Sequence, residues 1–158
     1  MGYYLRVFCR SEDLPPLGRA FHWTAAQGVS LELQNEPDRG DLDSSGWRGG
    51  EIRYQHGKRP FDVDVCRAAE DRLLLSEEVE EFIEFLRDVD ESVEKRRVLA
   101  HLRESRAVVS VQLLSDIDDE GHDAAGVFLD FFVEHCDGMI QADGEGFYEG
   151  GRTIVELE

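Results

Sequence analysis

The chain has little cysteine, proline or lysine and no long apolar run, and each shortage removes a class of protein. Cysteine appears only as Cys9, Cys66 and Cys136, an odd number at wide spacing. That rules out the paired framework of a small disulfide-stapled domain. Each cysteine lies within or beside an apolar pattern, so reduced buried thiols and a cytoplasmic setting are expected. Four prolines set against nine Phe and two Trp argue for a packed core rather than bulk disorder. The two lysines stand beside fifteen arginines, a bias that marks no site. No apolar run reaches the roughly eighteen residues a membrane span requires. The first apolar stretch, Tyr3 to Cys9, is broken by Arg6 and followed by Arg10, Glu12 and Asp13, which does not fit a signal peptide. GxGxxG, P-loop, G-x-S-x-G and C-x-x-C patterns are missing too, and with them the usual grounds for naming an enzyme.

Negative charge is what the chain has in excess. Its net charge is −18, and the imbalance is uneven. Residues 1–60 carry eight acidic and eight basic side chains, whereas residues 61–158 carry twenty-seven acidic and nine basic ones. From Ala107 onward thirteen carboxylates face Arg152 alone. Such a field repels nucleic acid and anionic lipid and attracts a basic protein. Solubility or adaptation to salt would also acidify a surface, but neither explains a neutral first third.

Local patterns outline an α+β chain. Tyr3, Leu5, Val7 and Cys9 alternate with Tyr4, Arg6, Phe8 and Arg10 and predict a strand with an aromatic contribution from its second face. Ser11 is placed to cap the helix that follows, with Pro15 and Pro16 suited to its first turn and Gly28 to its end. A second strand is expected over Val29–Leu33. A long polar loop, Asn35–Gly50, then carries Asp38, Asp41 and Asp43 around a lone Trp47, a flexible turn that is either mobile or folds its tryptophan back onto the body. Ile52 and Tyr54 begin a hairpin with Phe61–Cys66. Ser76 starts a helix with the stripe Val79, Phe82, Ile83, Leu86 and Val89, and Ser92–Glu104 forms another, with Glu91 spaced to pair with Lys95 and His101 on its exposed surface. Valines on both parities of Ala107–Leu114 predict a central strand buried on two faces. A helix from about His122 to His135 and strands at Met139–Ala142, Glu145–Tyr148 and Thr153–Leu157 complete the chain. Asp143-Gly144 reads as a type I′ turn, with Gly146 at a bulge or close backbone approach.

Strand, helix, strand and hairpin therefore occur twice. The expected architecture is one compact domain of two split-βαβ-like (ferredoxin-like) units, residues 3–66 and 107–157, joined by a helical connector over 67–106. The units either share one extended sheet or pack as neighbouring small sheets, with helices covering one side.

Two kinds of residue stand out as binding candidates. Asp116, Asp118 and Asp119 lie in the acidic run D-x-D-D-E-G-H-D, which lacks both the calcium-loop spacing and a helical histidine pair, so capping and solvation account for it better than a metal. Glu145 and Glu149 flank Phe147 and Tyr148 near the last turn. Trp47, Tyr54, Phe147 and Tyr148 are aromatics among charges, the composition of a recognition patch. Adjacent His135 and Cys136 point about 100° apart on a helix and do not make a base and nucleophile. No catalytic residue, metal or cofactor is assigned.

The leading expectation is a non-catalytic binding or regulatory protein for a basic protein partner. In size and charge alone the chain is similar to bacterial immunity proteins, which neutralise basic toxins. The alternative is an enzyme or small-ligand or metal-binding domain in which Asp116, Asp118, His122 and Asp143 converge in a cleft between the two units. A weak homo-oligomer through the last strand is a third expectation, discouraged by Glu156.

Overall fold

The first alternating segment forms β1 (Gly2–Cys9) in the structure, a computed structural model that describes residues 2–34 and 40–157. Of the long loop, Asn35–Arg39, with Asp38 among them, lie outside the described residues. Helix α1 (Leu17–Ala26) starts after Pro16 without a side-chain cap; Ser11, the expected cap, instead donates its hydroxyl to the Asp13 carbonyl at 3.4 Å. Strand β2 is only Glu32–Leu33, shorter than its alternating pattern. A single turn, α2 (Gly40–Asp43), precedes β3 (Gly49–Arg53) and β4 (Phe61–Arg67).

Helix α3 (Arg72–Leu86) begins a turn before the expected Ser76, because Asp71 Oδ1 accepts the Leu74 amide at 3.0 Å and caps it there. Helix α4 (Val93–Arg103) is capped by Ser92, and Lys95 meets Glu91 at 2.9 Å as their spacing predicts. Next come β5 (Ala107–Leu114), α5 (Asp119–His135), β6 (Gly138–Ala142), β7 (Gly146–Glu149) and β8 (Arg152–Glu156). Among the described residues no helix is long and apolar enough to cross a membrane.

All eight strands join one antiparallel sheet in the order β2-β3-β4-β5-β1-β6-β7-β8. This sheet is larger than either expected unit. Its centre interleaves the two halves: β1 lies between β5 and β6, both from the C-terminal half. Strand β5 in turn carries β4 on its other edge. The extended-sheet alternative is therefore the observed one, and two separate small sheets are not formed.

Helices cover both faces, which corrects the one-sided covering read from the sequence. The cause is visible in β1 and β5, both of which carry buried apolar side chains on both parities. Leu5, Val7, Val109 and Val111 share one core with Leu17, Trp47 and the Phe128 and Phe132 rings of α5. Phe8, Val108, Met139 and Phe147 share the other with Val79 and Phe82 of α3 and Leu102 of α4. Phe82 meets Phe8 edge-on at 5.5 Å and Phe147 at 6.0 Å. Each such side chain, fully buried, contributes about 2–3 kcal/mol of transfer free energy.

His101, expected on the helix surface, is also buried. Its Nε2 stands 2.6 Å from the Phe8 carbonyl oxygen, which draws the ring between α4 and β1.

The turn between β6 and β7 is not type I′. At its two central positions only Gly144 has positive φ, 76°, while Glu145 N donates to Ala142 O at 3.1 Å. Asp143 is held otherwise: its amide donates to the Tyr4 carbonyl and its Oδ2 accepts the Tyr4 amide, each at 3.1 Å. The close approach expected at Gly146 is real. Its φ is 135°, and a Cβ there would stand 2.0 Å from the Val155 carbonyl oxygen.

Candidate functional site

The acidic loop after β5 meets the basic turn Lys58-Arg59. Lys58 Nζ lies 2.9 Å from Asp118 Oδ2, and Arg59 reaches Asp116 at 3.5 Å. The Tyr54 hydroxyl and the Gly121 amide both donate to Asp118 Oδ1 at 2.9 Å, so this carboxylate caps α5 and ties it to the β3–β4 hairpin. The Lys58 hydrogen bond, helped by Gly121 and Tyr54, pulls Asp118 down to about 2. Desolvation, and then the Asp118 bond, push Tyr54 up to about 12. Asp119 sits exposed in the first turn of α5, where the helix field favours it. The cleft here encloses about 200 Å³, below the size usual for a ligand pocket. Its charges are answered internally.

The aromatic patch is not assembled. Trp47 is fully buried; its Nε1 donates to the Pro15 carbonyl at 2.9 Å, and its ring lies 6.0 Å from Phe132. Arg67 locks this loop by donating to the carbonyls of Trp47 and Ser45, each at 2.7 Å. Phe147 is fully buried on the opposite face of the sheet. Tyr54 belongs to the Asp118 cluster, and Tyr148 donates its hydroxyl to Glu145.

Asp116, Asp118, His122 and Asp143 do not converge. Asp143 is engaged by Arg6 at 2.8 Å, whose guanidinium also meets Gln141 at 2.7 Å and Glu78 at 3.1 Å. Burial works to raise the Asp143 carboxyl, but the bonds from Arg6, Gln141 and the Tyr4 amide outweigh it and hold it low. His122 lies elsewhere, with its ring 5.5 Å from Tyr3. Among the described residues no three His, Cys, Asp or Glu side chains are grouped to hold a metal ion.

Cys9 and Cys136 are both buried and unbridged, and the Cys9 Sγ donates to the Val7 carbonyl at 3.9 Å; the nearness of the two thiols raises that of Cys9 and lowers that of Cys136. His135 turns away from them and stacks on Phe131 at 4.4 Å.

A concavity of about 1140 Å³ runs along α5 over β6 and β7. Periodicity builds its wall. His122, Gly126, Leu129 and Val133 recur at steps of four, three and four, so they form one flank of α5. Leu5, Ile140, Ala142 and Tyr148, from sheet positions facing α5, make an apolar floor. Above the flank Asp123, Asp130 and Glu134 form an exposed crest. Glu145 and Glu149 stand on the opposite rim, the latter paired with Arg97 at 3.0 Å.

Among the described residues no ion pair engages Asp123, Asp130 or Glu134. Asp130 is raised by desolvation and then by Glu134 beside it. Of the residues singled out from the sequence, Glu145, Tyr148 and Glu149 meet in this groove; Asp116, Asp118 and Tyr54 meet at the basic hairpin. Of the α5 crest, Asp123 was noted only as the last residue of the acidic run, and Asp130 and Glu134 were not singled out, although their spacing on a helix was readable. Comparison with protein-family models, with curated proteins and with solved structures gives no match to this chain.

Proposed function

We propose that this chain is a non-catalytic binding or regulatory protein for a basic protein partner, and that the partner meets the groove along α5. One contrast carries the reading. Asp116 and Asp118 are answered by Arg59 and Lys58, whereas Asp123, Asp130 and Glu134 stand beside an apolar floor with no cation of their own. A basic surface docking there brings the missing charges and covers apolar area together. Electrostatic attraction speeds such an encounter and turns acidic proteins away. A role like that of immunity proteins, which neutralise basic toxins, fits the same size and charge.

In this reading the chain acts as one compact domain. Its segments 3–66 and 107–157 are two related split, ferredoxin-like units sharing a sheet, with 67–106 as connector. Self-association through the β8 edge is a weaker contribution, opposed by the acidity of both copies.

The test is retention of basic proteins from an extract of the native cell on the immobilised chain, followed by affinity measurement across salt. The expected complex weakens steeply as salt rises. The combined changes Asp123→Asn, Asp130→Asn and Glu134→Gln should weaken it about tenfold or more. A complex whose affinity holds from low to molar salt, or is untouched by those changes, overturns the reading.

A further inference from the structure

The groove has the dimensions and the seam of a place for one more helix. On this face α1 and α5 lie side by side, and α5 borders a strip of the sheet that runs over Ile140 and Ala142 of β6 and Tyr148 and Glu149 of β7. The flank of α5 that borders the strip presents His122, Gly126, Leu129 and Val133, the alternating four-and-three spacing by which one helix seats against another. From His122 to Val133 the seam rises about 17 Å, or three turns. Gly126 opens a notch in its middle, since a Cβ there would have no atom within 4 Å.

We propose that the groove is a docking site for an amphipathic helix with one apolar face and basic residues along one margin. This rests on the reading of the chain as a binder of basic proteins and adds the form of what it binds. The apolar face lies on Val133, Ile140 and Tyr148, the partly exposed apolar side chains of the groove, and a residue of the incoming helix enters the notch at Gly126. The basic margin faces Asp123, Asp130 and Glu134, whereas on the opposite rim Glu149 is already paired with Arg97. A second copy of this chain is a poor occupant, because each copy carries −18.

The test uses two synthetic leucine–lysine peptides of identical composition, one patterned with helical periodicity and one alternating as a strand. Binding to the intact chain is followed by calorimetry and the peptide's helicity by circular dichroism. The expected result is that the helical pattern binds at least about tenfold more tightly and gains helicity on binding. Gly126→Leu, which fills the notch without a clash in the free protein, should reduce that affinity about tenfold or more while leaving thermal stability undiminished. Val133→Arg blocks the same seam independently, should the first variant prove unstable.

Equal, salt-sensitive binding of both peptides, unaffected by either variant, overturns the helix site while leaving a charge-led binder standing. Failure of both peptides to bind removes both ideas. A chain that is dimeric alone and monomeric as Gly126→Leu makes a second copy the occupant and also overturns the proposal.

Discussion

Lys58 Nζ and Asp118 Oδ2 stand 2.9 Å apart and join the β3–β4 turn to the N-cap of α5. The pair gives the most conspicuous acidic loop a structural duty.

Removing the lysine should therefore be read at Asp118. The folded carboxyl is held near 2, below its ordinary 3.8, so its contribution to stability is present above 3.8 and is lost as pH falls towards 2. Lys58→Met should move the Asp118 titration midpoint upward towards 3.8 and bring the acid loosening of the α5 N-terminus to higher pH. Carboxyl titration and amide exchange by NMR report both. An unmoved midpoint would show that the lysine does not hold the carboxylate in solution.

His101 gives the second pH signature. Burial lowers its pKa below the usual 6.5, with the Phe8 hydrogen bond opposing, so the ring is neutral in the fold and donates from Nε2. The unfolded chain binds the proton more readily, so this group's contribution is whole above 6.5 and declines as pH drops below it. Chemical denaturation across that range should show a falling midpoint in the parent protein and a flatter profile in His101→Gln. The variant should also lose about 1–2 kcal/mol at neutral pH through the weakened bond to Phe8.

Arg67→Met should unlock the loop around Trp47. The change removes donors from two carbonyls, one of them buried with the indole, and a loss of about 2–3 kcal/mol is expected. Trp47 emission should shift to the red as water reaches the ring. A stable variant with unshifted emission would mean that Pro15 and Phe132 hold the indole unaided.

Two glycines in the C-terminal hairpin should respond differently to substitution. Gly146→Ala drives a Cβ against the Val155 carbonyl at a φ of 135° and should cost about 3 kcal/mol or more. Gly144→Asn, at φ 76° with open space around it, should cost less than about 1 kcal/mol. Equal melting temperatures for the two variants would contradict the observed packing of β7 on β8.

What was legible in the sequence was local. The alternation of Tyr3–Cys9, the double-faced valines of β5, the Ser92 cap and the close approach at Gly146 all depend on neighbours in the chain. What was not legible depends on distant partners. His101 looked exposed beside Arg103 and Glu104, yet its place is decided by a carbonyl 93 residues away. Trp47 sits in a polar loop and is anchored by Pro15, 32 residues before it, and by Arg67, 20 residues after it. Asp143 looked like a turn residue and is recruited by Arg6 across 137 positions. The apolar strip beside α5 was invisible for the same reason: periodicity shows which flank of a helix is apolar, but only the strand order shows that nothing in the described fold lies over it.

The position of β1 bears on how the protein is made. Its neighbours are Ala107–Leu114 and Gly138–Ala142, so the middle strand of the sheet leaves the ribosome before either partner exists. Until Leu114 has been synthesised β1 has neither neighbour, and until Ala142 it has only β5; pairings this distant form slowly. In that interval β1 stands exposed to chaperones or to misassembly. The centre of this sheet waits on strands made long after its middle one.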